Sequence, residues 1–264
     1  MKPFSIIRFT LALLLSAAVL FPSPMFRALN WTQPSGASNI TADLWQTFEG
    51  ALTQGGLQDN DHHGSALWTV SGAGKSVDAA SQFTLLSTVN SLTDTGAQGL
   101  LVDNNTGTGE VKLDLNISFP YPTTQSVGFE FEISTLTDGT YTFPYVIGET
   151  GGSGGAIIRV KVSRSGSTYS LYLNEPTTPT DSGAVVISTG TRYKVRIKVV
   201  SGGTCLLRVY DAAGALIGSE QSVTGGNFRT DYHQFLAQSA SSTGVYRLDN
   251  FLVDYTTATF PLGP

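Results

Sequence analysis

The chain has 264 residues, of which only 13% are Asp, Glu, Lys or Arg, against roughly a quarter in an average soluble protein, while Gly, Ser and Thr are abundant. Its net charge of −5 and pI near 5.1 exclude the clustered basic surface that DNA or RNA recognition needs, so no nucleic-acid partner is expected. The length suits one β-sandwich domain behind an N-terminal address, and no second composition regime marks another domain.

Residues 1–28 read as a signal peptide. Lys2 and Arg8 flank the start of an apolar run that ends at Phe21, and Pro22 and Pro24 stop it. A basic region followed by a short apolar stretch is the signature of export, which predicts a secreted, periplasmic or cell-surface protein. A retained signal anchor is the alternative, and no later stretch is apolar and long enough to span a bilayer. Residues 29–43 read as a Ser/Asn/Thr/Pro-rich lead-in, 44–258 as the sandwich and 259–264 as a tail.

In chain order, Leu57-Gln-Asp-Asn-Asp-His-His-Gly64 has the Asp-x-Asp and Gly spacing of a calcium loop. His63 and Val70 stand where that loop needs oxygen ligands, so a polar turn is expected instead. Strict alternation then picks out one buried face each for Val111 to Phe119, Val127 to Ile133, Ile158 to Val162, Tyr169 to Leu173 and Tyr193 to Val199. Ser165-Gly166 and Gly202-Gly203 sit between such runs and predict hairpins, because glycine accepts the positive φ of a tight turn. The Gly-rich stretch 148–155 is too long for a tight turn and has no basic residue, so it predicts a loop and no phosphate cradle. Cys205 is the single cysteine, which rules out an intrachain disulfide, and it shares a strand face with Leu207 and Val209 as a small buried hydrophobe.

The closing segment carries most information. Val245, Tyr246 and Leu248 are followed by Phe251, Val253 and Tyr255, so the inward parity changes across Asp249-Asn250. A strand has period two, and one extra residue must be absorbed there as a bulge that re-aims Asp249. No segment outside the signal shows a helical apolar period, so the class is all-β.

The succession Val127-Gly-Phe-Glu-Phe-Glu-Ile133, Ile158-Arg-Val-Lys-Val162, Tyr169-Ser-Leu-Tyr-Leu173 and Tyr246-Arg-Leu-Asp-Asn-Phe251 resembles the concanavalin A-like lectin/glucanase superfamily, in particular its laminin-G-like branch. The resemblance covers residues 44 to 256 and implies a two-sheet antiparallel jelly-roll sandwich with its first and last strands adjacent. Phe48-Glu49-Gly50 followed by Trp68 resembles the opening of exported carbohydrate-binding jelly rolls. By that resemblance Glu49 and Asp249 would hold a structural Ca²⁺. The alternative is that Glu49 bonds backbone amides and Asp249 caps its own bulge.

The expected function is a non-catalytic module that binds a polysaccharide or glycoconjugate, with Trp68, Tyr141 and Tyr172 as ring platforms and Glu130, Glu132, Lys161 and Arg196 as polar contacts. The charged members are expected on an exposed ladder that also takes in Arg159, Lys194 and Lys198. A structural or adhesive protein is one alternative. A glycoside hydrolase is another, although the Glu-x-Asp-x-x-Glu strand of laminarinase-type glucanases would need a third acid beyond Glu130 and Glu132. A polysaccharide lyase would use Tyr172 or His233 as base.

Overall fold

The computed structural model describes the backbone of residues 44–46, 55–56, 68–72, 83–86, 99–103, 110–115, 124–148, 156–176, 179–200, 203–224, 232–238 and 244–254. Side chains are described for 99–103, 124–148, 158–176, 179–200, 203–224, 233–235 and 244–254. These residues form strands β1 (Leu44–Gln46), β2 (Gly55–Gly56), β3 (Trp68–Gly72), β4 (Phe83–Leu86), β5 (Gly99–Asp103), β6 (Glu110–Leu115), β7 (Thr124–Leu136), β8 (Tyr141–Gly148) and β9 (Ala156–Ser165). The succession continues with β10 (Thr168–Glu175), β11 (Thr180–Asp181), β12 (Val185–Ile187), β13 (Tyr193–Val200), β14 (Thr204–Asp211), β15 (Gln221–Thr224), β16 (Tyr232–Gln238) and β17 (Gly244–Asp254). No helix occurs among the described residues.

Two antiparallel sheets result. The first runs β15-β14-β13-β7-β17-β5-β4-β2, with β1 also on β17; the second runs β11-β10-β9-β8-β16-β6-β3, with β12 also on β10. Hairpins join β9 to β10 and β13 to β14, where the glycine turns predict them. Gly166 holds φ 61°, a backbone that a β-carbon would strain. The connections that jump between strands, β13 beside β7 and β8 beside β16, give the jelly roll its long-range closure.

Alternation decides which side of each strand is buried. Val127, Phe129, Phe131 and Ile133 of β7, Val160 and Val162 of β9, Leu171 of β10 and Val195 and Ile197 of β13 are all fully buried between the sheets. Cys205, Leu207 and Val209 join them, and burial pushes the Cys205 thiol up to about 11, so it packs as an apolar group. The sheets meet through an aromatic cluster in which Phe129 of β7 and Phe251 of β17 face Tyr145 of β8 and Phe235 of β16. Its ring centroids are 5.1 Å apart for Phe129–Tyr145 and 5.3 Å for Phe235–Phe251.

β17 contains the expected bulge. Asp249 pairs with Glu130 and Leu252 with Gly128, so three steps on β17 match two on β7. Asn250 takes the left-handed conformation, φ 47°, and its amide donates to Asp249 Oδ1 at 2.7 Å. The bulge also marks a change of neighbour: β5 pairs with Val245 to Leu248, and β1 pairs with Phe251 to Val253. After β14 the chain makes a bend through Ala215-Leu-Ile-Gly218. Ile217 N bonds Val209 O at 2.8 Å and Gly218 turns at φ 69°, which postpones β15 to Gln221.

Candidate functional site: the outer face of β8, β9 and β10

One extra residue in β8 creates the site. Thr142 pairs with Val162 and Tyr145 with Val160, so the ladder absorbs a bulge at Phe143-Pro144. Proline has no amide to donate, and a bulge is where a strand tolerates it. The parity shift lets Tyr145 point into the core, while Tyr141 and Phe143 belong to the outer face with rings 5.2 Å apart.

β9 supplies the cations for that face. Lys161 lies opposite Tyr172 of β10, and its Nζ sits 5.0 Å from the Tyr141 ring and 5.7 Å from the Tyr172 ring. The ammonium is tethered to Asp181 Oδ2 at 2.5 Å, and Asn174 Nδ2 donates to Asp181 Oδ1 at 2.8 Å. Two residues along β9, Arg159 places its guanidinium carbon 4.8 Å from the Phe143 ring centre. Tyr141 is 44% exposed, and Val186 on the adjoining β12 is 61% exposed, so apolar surface of this face is open to solvent. The arrangement offers flat aromatic surface with hydrogen-bonding groups beside it, which suits a ring that is apolar on its faces and polar at its rim.

The sequence-derived candidates divide between two opposite surfaces. Tyr141, Lys161 and Tyr172 come together here. Glu130, Glu132 and Arg196 lie on the outer side of the first sheet, with the core between the two groups. The expectation of one continuous exposed ladder is therefore corrected. β9 pairs with β8 and β10, never with β7 or β13, and Glu130 and Arg196 are buried, 7% and 5% exposed. Arg196 lies across Gly128, its register partner, where an added β-carbon would come within 2.9 Å of Arg196 Cδ and Nη1. Its Nη1 donates to Val195 O at 3.0 Å. Burial lowers the Arg196 guanidinium to about 10, with Glu130 opposing, and burial raises the Glu130 carboxyl against the pull of Arg192. Glu132 pairs with Arg247 at 3.1 Å, so the two acids have separate partners and form no shared carboxylate pair.

Trp68 is placed by its backbone alone: it pairs with Leu115, two positions from the Val70–Leu113 pair, at the β3 edge of the second sheet, with β8, β16 and β6 between it and β9. It is not brought to Lys161. His233, the alternative base, is 1% exposed and points into the core, where it bonds the Tyr145 hydroxyl. Burial lowers it to about 3, a neutral ring with no access to a surface ligand. Phe143, Asn174 and Asp181 complete the face and were missed in the sequence. Pro144 inside an otherwise regular strand was the available signal for the bulge beside which Tyr141 and Phe143 take the outer face.

For calcium, Glu49 lies outside the described residues. Asp249 is buried with Oδ1 engaged by the Asn250 amide. Among the described residues no three of His, Cys, Asp and Glu gather. The ion takes six to eight oxygens, and the pair expected to supply two of them includes Glu49, so the calcium expectation lies outside the described residues.

No protein-family model matches the sequence, and no curated protein matches it. Solved structures do resemble the fold. The cellulose-induced protein Cip1 superposes with a TM-score of 0.53 at 14% identity, covering 81% of this chain and 97% of Cip1. A conserved carbohydrate esterase from the Shiga toxin-encoding bacteriophage phi24B gives 0.53 at 12% identity, covering 82% of this chain and 99% of the esterase. With the two antiparallel sheets they identify a jelly-roll β-sandwich of the concanavalin A-like type.

Proposed function

We propose that this chain is an exported glycan-binding module of the laminin-G-like branch, which holds a polysaccharide or glycoconjugate against the outer face of β8, β9 and β10. The observation that carries the reading is Lys161 set between the rings of Tyr141 and Tyr172 and tethered to Asp181. The tether restrains a long flexible side chain before any ligand arrives, which lowers the ordering cost of binding. Tyr141 and Tyr172 then offer ring faces for sugar C–H surfaces, while Lys161 and Asn174 donate to hydroxyls at their edges.

The two structures of similar fold include one described as a carbohydrate esterase, which keeps the reading within what this architecture hosts. At 12% identity the argument still rests on the face itself. The test is affinity electrophoresis of the purified chain in gels containing a panel of polysaccharides, beside Tyr141→Ala and Tyr172→Ala. Retardation by at least one polysaccharide that falls about tenfold in each variant, with unchanged melting temperatures, supports the assignment. Retardation that survives both substitutions moves the site elsewhere.

A further inference from the structure

We infer that the glycan held on this face is anionic, with its carboxylate or sulfate read by Arg159; this rests on the glycan-binding reading above. Three observations lead there. Arg159 stacks on Phe143 at 4.8 Å and has no carboxylate partner among the described residues. The neighbouring Asp181 is committed elsewhere, with one oxygen on Lys161 and the other on Asn174. Among the described residues of the face, two cations therefore stand against one acid, on a chain whose overall charge is −5.

The geometry favours a bidentate acceptor. A guanidinium held over the face of an aromatic ring makes no hydrogen bond to it and so keeps its N–H donors, and their planar fork matches the two oxygens of a carboxylate or sulfate. Phe143 is itself buried, 8% exposed, so the guanidinium lies over a packed ring. Lys161 lies two residues along the same strand and on the same side, one repeat of the strand pleat or about 6.6 Å away. An acidic sugar whose ring lies on Tyr141 or Tyr172 can thus direct its charged group towards Arg159 while its hydroxyls meet Lys161 and Asn174.

The experiment compares polygalacturonate with its fully methyl-esterified form, and dextran sulfate with dextran, by affinity electrophoresis of the wild type, Arg159→Gln, Arg159→Lys and Tyr141→Ala. The expected result is retardation by polygalacturonate, by dextran sulfate or by both, and not by the uncharged counterparts. It should weaken at least tenfold in Arg159→Gln, weaken less in Arg159→Lys, and fall in the wild type as salt rises. The acid arm and the sulfate arm separate the two sources of the anion. Equal retardation by charged and uncharged forms, lost in Tyr141→Ala and kept in Arg159→Gln, overturns the anion and leaves the binding face standing. Retardation by the anions that Arg159→Gln does not change overturns the role of Arg159. Absence of retardation in all four gels overturns the anionic assignment, and the wider polysaccharide panel then decides the face by itself. Should Arg159→Gln fail to fold, the ester comparison and the salt series on the wild type still decide the charge preference.

Discussion

The Tyr145 hydroxyl and His233 Nδ1 meet at 2.5 Å inside the sandwich, a polar contact surrounded by Phe129, Phe235 and Phe251. The two rings are nearly parallel, 13° apart with centroids at 6.1 Å, and they tie the neighbouring strands β8 and β16 at side-chain level. Tyr145→Phe removes one partner and takes the hydroxyl away from the buried Nδ1, which is expected to cost about 1–3 kcal/mol. Replacing both, Tyr145→Phe with His233→Phe, is expected to cost less than the two single changes added together. Chemical denaturation of the four proteins in a double-mutant cycle checks this, and simple additivity would mean that the pair is not coupled.

The same histidine sets an acid limit on stability. Burial holds His233 at about 3 in the folded protein, below its ordinary 6.5. Between those values the unfolded chain binds a proton that the folded chain refuses, so stability is complete above about 6.5 and declines as pH falls towards 3. The slope is about 1.4 kcal/mol per pH unit. Urea midpoints measured from pH 7.5 to 4 should fall accordingly, and His233→Gln should flatten the decline. A midpoint that is equally steep without His233 would assign the acid sensitivity to carboxylates.

Gly128 and Arg196 occupy one register position on neighbouring strands, and the glycine leaves the room that the guanidinium fills. Gly128→Ala should destabilise by about 1–3 kcal/mol, because a buried side chain bonded to the Val195 carbonyl must move. In an Arg196→Ala background the same substitution should cost much less. Thermal unfolding of the single and double variants reads the difference, and an equal penalty in both backgrounds would place the strain in the backbone of β7.

At the β17 bulge, Asp249→Asn keeps an oxygen to accept from the Asn250 amide, while Asp249→Ala removes it. The alanine variant should lose about 1 kcal/mol more than the asparagine variant. Melting curves in calcium and in chelator separate capping from metal binding. A wild-type curve that rises with calcium, and an Asp249→Asn curve that does not, would give the carboxylate to an ion as well. Superimposable curves leave it as a cap.

Much of this architecture can be read from side-chain alternation, and its limits are physical. Val127, Phe129, Phe131 and Ile133 announce their strand because every second residue must leave water, and the break between Leu248 and Phe251 announces the bulge because period two allows no other accommodation. Alternation does not say which strands become neighbours. The outward charges of β7, β9 and β13 therefore look like one ladder until β8 pairs with β16 and carries β9 into the second sheet. Nor does it say whether an outward face stays wet, and Glu130 and Arg196 have the right parity for solvent yet are buried. Tyr141, Lys161 and Tyr172 could be named as candidates by type, whereas Phe143 reaches them through a bulge marked locally by Pro144 alone, and Asp181 through an edge strand that no local pattern specifies.

The position of β17 has a consequence for how the molecule can be made. It bonds β7 along one side and divides the other between β5 and β1, yet it follows all three in the chain. The first sheet cannot close while the ribosome is still delivering residues before Gly244; until then β7 offers an open row of amides and carbonyls to whatever strand arrives. Assembly by such distant pairings is slow, so the chain spends its early life extended and dependent on being kept apart from its copies.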